Sequence, residues 1–151
     1  YEGEFEDGKA HGKGRFSFSD GSLYEGEFED DKMHGQGTMT LSNGVYEGQW
    51  KDGERHGKGT LTYSDGSGYK GQWEDGKEHG QGKLTDSNGN VLYEGEWKDG
   101  EKYGKGKKTD SNGNVVYEGE WVQGLPLHEY QKTHEELDKA EALRDGDGAG
   151  R

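Results

Sequence analysis

The feature that most constrains this chain is a five-residue phrase, Tyr-x-Gly-x-Phe/Trp, that occurs six times. The copies begin at positions 1, 24, 46, 69, 93 and 117, so the steps between them are 23, 22, 23, 24 and 24 residues. A period of about 20–50 residues is typical of repeat proteins, in which each repeat packs against its neighbours. The functional surface of such a protein is built by several repeats together. We therefore interpret residues 1–124 as one repeat domain.

Each repeat has the pattern of a β-hairpin. In the second copy, Tyr24, Gly26 and Phe28 alternate with charged residues, which is the period-two pattern of a strand. A second alternating segment, residues 35–41, follows a polar connection, and most other copies carry Asp-Gly in that connection, a strong hairpin-turn signal. Asn-Gly or Asp-Gly turns then lead into the next copy. The pattern predicts an all-β repeat array, an antiparallel meander of β-hairpins.

Composition alone would suggest disorder, because only 25% of residues are hydrophobic, 34% are charged and the net charge is −13. The aromatic residues argue against that interpretation, since 12 of the 17 stand in the six Tyr/Phe-or-Trp pairs. We expect a thin structure in which aromatic rings provide most of the buried area. The Gly-x-Gly pairs at 12/14, 35/37, 57/59, 80/82 and 104/106 are interpreted as space for rings lying across the sheet.

These residues resemble the MORN repeat, whose pattern is roughly Tyr-x-Gly-x-Trp-x-x-Gly-x-x-x-Gly-x-Gly. Residues 46–59 fit it at every fixed position, and residues 69–82 and 93–106 fit as well. The first two copies have Phe for Trp, Asp31 replaces a usual Gly, and the sixth copy is cut short. The resemblance implies an elongated, single-layer, twisted antiparallel sheet. It also implies an interaction or scaffolding module, often near membranes or the cytoskeleton.

The segment after Trp121 has a different pattern. Leu125-Pro126 is expected to break the strand, because proline cannot donate to a ladder. Residues 125–144 predict a short C-terminal α-helix with a narrow apolar stripe. This helix could cap the last hairpin, fold over the aromatic face, or dock into a groove of a neighbouring molecule. Residues 145–151 are predicted to be a flexible tail.

The aromatic row is the candidate binding site. A single layer would leave one side of the rings available, and an exposed apolar stripe typically marks an interaction site. We therefore expect a peptide or helix of a partner protein to bind along it. The alternative is purely structural, with the rings covering the glycines. The candidate binding residues are Tyr24, Phe28, Tyr46, Trp50, Tyr69, Trp73, Tyr93, Trp97, Tyr117 and Trp121.

Other ligands fit the sequence poorly. The acidity argues against nucleic acid and against direct binding to anionic lipid. Histidines recur at equivalent positions of successive hairpins, at His11, His34, His56 and His79. Each would lie two strands, or about 9–10 Å, from the next, which is too far for two of them to bind one metal ion. Residues 86–90 and 110–114 faintly resemble calcium loops but lack the spaced acidic ligands, so hairpin turns explain them. We predict no metal and no cofactor.

No catalytic motif is present in the sequence, so an enzyme is not expected. The leading hypothesis is a non-catalytic protein–protein interaction or scaffolding module. The alternatives are a membrane-apposed adaptor and an architectural subunit that self-associates through its sheet edges or its C-terminal helix. The absence of cysteine fits an intracellular protein. With the resemblance, it predicts a cytoplasmic or organellar location within a cytoskeleton- or membrane-associated assembly.

Overall fold

The fold is one open antiparallel sheet followed by a helix. The structure is a computed structural model that describes residues 1–149, and the side chains of residues 1–144. Its elements are β1 (Glu2–Glu6), β2 (Lys9–Ser17), β3 (Leu23–Glu29), β4 (Lys32–Leu41), β5 (Gly44–Lys51), β6 (Glu54–Tyr63), β7 (Gly68–Glu74), β8 (Lys77–Thr85), β9 (Val91–Lys98), β10 (Glu101–Thr109), β11 (Val115–Val122), β12 (Leu125–Pro126) and α1 (Leu127–Ala149). The strands follow one another in sequence order. The predicted meander of hairpins with a C-terminal helix is confirmed.

Tight two-residue turns close the hairpin within each repeat. Asp52 and Gly53 both have positive φ, at 50° and 84°, as a type I′ turn requires. The Gly53 amide also donates to the carbonyl of Met33 in the preceding repeat, at 2.9 Å. In the second copy Asp31 takes the glycine position at φ 67°. Its carboxylate accepts a 2.7 Å hydrogen bond from the Ala10 amide, so this turn too is tied to the preceding repeat.

A row of glycines crosses the sheet from β1 to β11. Each glycine pairs in register with the next, in the order Gly3, Gly14, Gly26, Gly37, Gly48, Gly59, Gly71, Gly82, Gly95, Gly106 and Gly119. A Cβ added at Gly59 would lie 2.5 Å from Cζ of the Tyr46 ring. The expectation that glycine makes space for a ring is confirmed for the second glycine of every Gly-x-Gly pair, all five of which lie in this row.

The first glycine of each pair has a different role, and here the sequence-based interpretation is wrong. Gly57 has a φ of 65° and lies in an irregular part of the hairpin. Between the Gly48–Gly59 and Trp50–Arg55 pairs, β6 uses two more residues than β5, which makes a bulge. A Cβ on Gly57 would meet the side chain of Gln49 on the opposite face from the rings. Gly57 therefore allows the positive φ that the backbone of the bulge adopts.

The end of the array differs in two respects from the sequence-based expectation. Leu125–Pro126 does not break the sheet but forms β12, which pairs with β11. Proline fits there because β12 is an edge strand. Helix α1 runs to Ala149, past the predicted end at residue 144, so residues 145–149 are helical where a flexible tail is predicted. The last two residues of that predicted tail, 150 and 151, lie outside the described residues.

Helix α1 meets the sheet through its first turn. Residues of α1 contact β11 and β12, and the His128 ring lies 5.4 Å from that of Tyr117. This contact places α1 against the last tyrosine of the array. The side chains of residues 131–144 are exposed, so the rest of the described helix covers neither face of the sheet. Within residues 1–149, no helix combines the length and apolar character needed to cross a bilayer.

Candidate functional site

The aromatic side of the sheet carries one continuous ladder of rings. The Tyr46 ring meets Trp50 of its own repeat at 5.1 Å and Trp73 of the next repeat at 5.3 Å, both edge-on. The same alternation joins every repeat from Tyr1 to Trp121, with centroids 5.0–5.4 Å apart and planes at 80–90°. Edge-to-face contacts of this kind stabilise by about 0.5–1.5 kcal/mol each beyond the buried area. The ladder is thus the core that joins the repeats.

Backbone hydrogen bonds hold these rings in place. Each Tyr hydroxyl donates to the carbonyl three residues later, as Tyr46 does to Gln49, at 2.6–2.9 Å across the six copies. Each Trp indole donates to the carbonyl of the second glycine of the preceding repeat's Gly-x-Gly pair, as Trp50 does to the Gly37 carbonyl, at 2.9–3.2 Å. Burial raises the pKa of Tyr46 and of Tyr93 to about 12. At neutral pH these tyrosines are therefore neutral hydrogen-bond donors.

The ten predicted contact residues are brought together as a core. Nine of them expose 7% or less of their surface, and Tyr117, next to α1, is half-buried. One open side of each ring is expected from the sequence, but neighbouring side chains cover the rings. The Arg55 guanidinium lies 5.0 Å from the Tyr46 ring and 5.2 Å from Trp73. Lys102 covers Tyr93 and Trp121 in the same way, at 5.1 Å from each. Binding of a partner along the row stays a prediction.

The aromatic side has an apolar depression at the N-terminal repeats. It has a volume of about 370 Å³ and its apolar lining comprises Phe18, Met33, Met39, Leu41 and Trp50. Met39 and Trp50 are buried and form its floor, while Phe18, Met33 and Leu41 are partly exposed and pack against the core. Sequence reasoning did not single out Met39 and Leu41. The signal for Met39 was the apolar residue two places after the Gly-x-Gly pair, which four of the five pairs have.

The opposite side of the sheet carries polar side chains beside the glycine row. Gln49 folds over the bulge, and its Oε1 accepts a 2.8 Å hydrogen bond from the Lys58 amide. Gln72 does the same for the Gln81 amide at 2.8 Å. In the other complete repeats a glutamate has this place, as with Glu96, which accepts from the Lys105 amide. A depression of about 500 Å³ lies on this face around Gly59 and Gly71.

Three of the four repeated histidines form separate pairs with glutamate. His11 contacts Glu6 at 2.9 Å, and His34 and His79 contact the equivalent glutamates at 3.1 Å. Among the described residues, no group of three His, Cys, Asp or Glu side chains could hold a metal ion. Asp86 instead accepts hydrogen bonds from the Asn88 and Asn90 amides of its own turn, each at 2.9 Å. These bonds, led by that from Asn90, lower the pKa of Asp86.

A comparison with protein families agrees with this geometry. The family model described as the MORN repeat matches residues 1–23, 24–45, 46–68, 69–91, 93–115 and 117–126. The chain belongs to the MORN repeat family. The matches begin at the six tyrosines that open the predicted copies, and the sixth is short, as expected. No curated protein matches the chain.

Membership of the MORN repeat family indicates a general role for the two faces of the sheet, which is interaction with other molecules. MORN repeats are associated with modules that interact with proteins and membranes. In this MORN array the ladder of rings is the buried framework, so a partner can reach what surrounds it. Two surfaces are open to a partner: the apolar depression over Met39 and Trp50, and the depression over Gly59 and Gly71 on the polar face.

Proposed function

We propose that this MORN array is a non-catalytic interaction module that binds a helix or extended segment of a partner protein on its aromatic side. The observation that carries the proposal is the apolar depression lined by Met33, Met39 and Leu41. Trp50 is the member of the predicted contact set that lines it. Concave apolar sites with a few polar groups at the rim are the usual places where ligands bind.

The chemistry of the depression suits a protein side chain. Methionine has an unbranched, polarisable side chain that adapts to the shape of a partner, and it is frequent at binding surfaces. The buried ladder beneath provides a rigid floor, so little order has to be gained on binding. Asp20, Glu54 and Arg55 stand at the rim, where they can orient a segment with apolar residues on one side and charges on the other. Further along the array Lys102 covers the rings, which confines the apolar surface to the N-terminal repeats.

Site-directed photo-crosslinking in the native assembly tests this proposal. A photoreactive residue at Met33 or Leu41 should capture the same partner, because both positions line the depression. The matched control is a photoreactive residue at Thr38, which lies on β4 but on the polar side. Met33→Asp should then reduce capture from Leu41, and circular dichroism checks that the variant is folded. Equal capture from Thr38 and Leu41, or undiminished capture in folded Met33→Asp, would contradict the proposal.

Self-association is a second candidate because α1 presents exposed leucines. Leu137 is 60% exposed and Leu143 is 76% exposed, on a helix whose described outer part covers neither face. An architectural subunit could use this helix to join copies. Light scattering over a range of concentrations, repeated with Leu137→Gln/Leu143→Gln, tests this candidate. A mass that is independent of both concentration and substitution would exclude it.

The membrane-apposed alternative has weaker support. The net charge of −13 opposes direct contact with anionic lipid, and attraction to that surface relies on clusters of Lys and Arg. A location in a cytoskeleton- or membrane-associated assembly would therefore be reached through a protein partner. Co-sedimentation with anionic vesicles should recover little of the protein on its own.

A further inference from the structure

The charged residues of the polar face alternate in sign at the two ends of the sheet but not across its middle strands. One row of registered positions beside the glycine row runs from β1 to β11 as Glu2, Arg15, Glu25, Thr38, Glu47, Thr60, Lys70, Lys83, Glu94, Lys107 and Glu118. Five of the six Tyr-x-Gly phrases have Glu between Tyr and Gly, and the fourth has Lys70. This exchange places Lys70 directly opposite Lys83.

The Lys70–Lys83 pair sets two like charges against each other across β7 and β8. Like charges directly opposite each other on adjacent strands are destabilising. In the described strands, every other registered pair of charged residues combines opposite signs. Lys83 reaches Glu94 at 3.7 Å. Within residues 1–144, no carboxylate comes within 4.0 Å of the ammonium groups of Lys70 or Lys58. Both side chains are exposed and available to a ligand.

The same two repeats replace a carboxylate by an amide. Gln49 and Gln72 stand where the other complete repeats have Glu4, Glu27 and Glu96. Since Oε1 of each glutamine accepts from the backbone, its amide NH₂ is left as the outer group, and it can only donate. At the level of the glycine row, the polar face of β6, β7 and β8 thus carries lysine, glutamine and threonine but no carboxylate. The centre of this acidic protein is a patch of donors.

A depression gives this patch a binding shape. It has a volume of about 500 Å³ around Gly59 and Gly71, and Lys58, Lys70 and Gln72 are among its lining residues, as is Glu47 on β5. Three adjacent strands span about 10 Å, and Glu47 on β5 and Glu94 on β9 stand on either side. A bilayer or a nucleic acid would extend over those glutamates, whereas one narrow chain segment would not.

We propose that the polar face over β6, β7 and β8 binds a short acidic segment of a partner protein, whose carboxylates pair with Lys58 and Lys70. Complementary charge and donor-to-acceptor matching carry this assignment. It rests on the proposed role as a protein-interaction module and names the chemistry of a second contact on the other side of the sheet. Glutamine and threonine donors beside the lysines suit the carbonyl oxygens of such a segment.

Fluorescence anisotropy with a labelled hexaglutamate peptide tests the proposal. The intact chain should bind the peptide more weakly as salt is raised, and a hexaglutamine peptide should not bind. Lys70→Gln should raise the Kd about three- to fivefold, the effect of losing one exposed ion pair. Lys70→Glu should raise it about tenfold or more while leaving the melting temperature equal or higher, because Lys83 then faces an opposite charge. That combination separates lost binding from lost folding.

Lys107→Gln is the matched control, because Lys107 occupies the same row between Glu94 and Glu118. Equal weakening by Lys107→Gln and Lys70→Gln, or no binding of hexaglutamate, would overturn the proposal. So would binding of vesicles with about one third phosphatidylserine that responds to Lys70→Gln while the peptide does not. Met33→Asp, on the other side of the sheet, should keep peptide binding. Loss of partner crosslinks in Met33→Asp therefore reports on the aromatic side, and loss of peptide binding in Lys70→Glu reports on the polar side.

Discussion

Replacing Gly59 by alanine should destabilise the array strongly although it adds one methyl group. The new Cβ would lie 2.5 Å from Cζ of Tyr46, against about 3.5–4.0 Å for an ordinary carbon contact. The ring or the backbone must therefore move by about 1 Å. The Tyr46 ring cannot yield freely, because it has no exposed surface and lies between Trp50 and Trp73 at 5.1 and 5.3 Å.

The expected magnitude follows from these contacts. Overpacking a core costs about 1–3 kcal/mol. A displaced Tyr46 also weakens its hydrogen bond to the Gln49 carbonyl, a further cost of about 0.5–1.5 kcal/mol. The free energy of unfolding should fall by about 2–4 kcal/mol in total. At about 2–4 °C per kcal/mol for a chain of this size, the melting temperature should fall by about 5–15 °C.

Thermal melts and urea titrations followed by circular dichroism provide the measurement. The matched control is Lys58→Ala, because Lys58 is the neighbouring residue and its side chain is exposed on the polar face. This substitution should stay within about 0.5 kcal/mol of the parent. The double variant Tyr46→Ala/Gly59→Ala should be no less stable than Tyr46→Ala alone, because the clash disappears with the ring. Equal losses in Gly59→Ala and Lys58→Ala, or additive losses in the double variant, would refute the role assigned to the glycine row.

Two pH predictions follow from the shifted pKa values. Burial raises the pKa of Tyr46 and Tyr93 to about 12, above the unfolded value of about 10, so their stabilising contribution is complete below pH 10 and is lost as the pH rises towards 12. Urea titrations between pH 8 and 11.5 should show the free energy of unfolding falling as the pH rises, and Tyr46→Phe should make that fall less steep. The same dependence on pH in Tyr46→Phe and the parent would contradict the assignment. Hydrogen bonds from Asn90 and its neighbours lower the pKa of Asp86, so this carboxylate stabilises its turn above about pH 4 and less as the pH falls. Asp86→Ala should therefore melt lower than the parent at pH 7, with a difference that shrinks below pH 4; a difference independent of pH would point to another cause.

The sequence predicts the hairpins well because their signals are local. Alternation around Tyr24 and Phe28 sets a strand, and the Asp-Gly and Asn-Gly pairs set turns that need positive φ. The sequence predicts the role of the first glycine of each pair less well, because nothing in the Gly-x-Gly motif distinguishes Gly57 from Gly59. Their roles differ only through the bulge that β6 makes against β5. The short strand at Leu125–Pro126 was missed for a similar reason, since an edge position removes the objection to proline.

The candidate site shows the same division. The sequence identified the ten aromatic residues and placed them on one face. Their burial depends on side chains from neighbouring strands, such as Arg55 over Tyr46 and Trp73, which the pattern within one copy does not show. The signal for the polar patch was present in the sequence as Lys70 in place of Glu. Its meaning required the register that sets Lys70 against Lys83.

By itself, then, the sequence determined the period, the hairpin within each repeat, the family and the order of strands, because these follow from residues close together in the chain. Tertiary structure decided which glycine faces a ring, how far each ring is buried, and which charges meet across the sheet. Those properties arise from pairing between strands, where a shift of one residue would move every side chain to the other face.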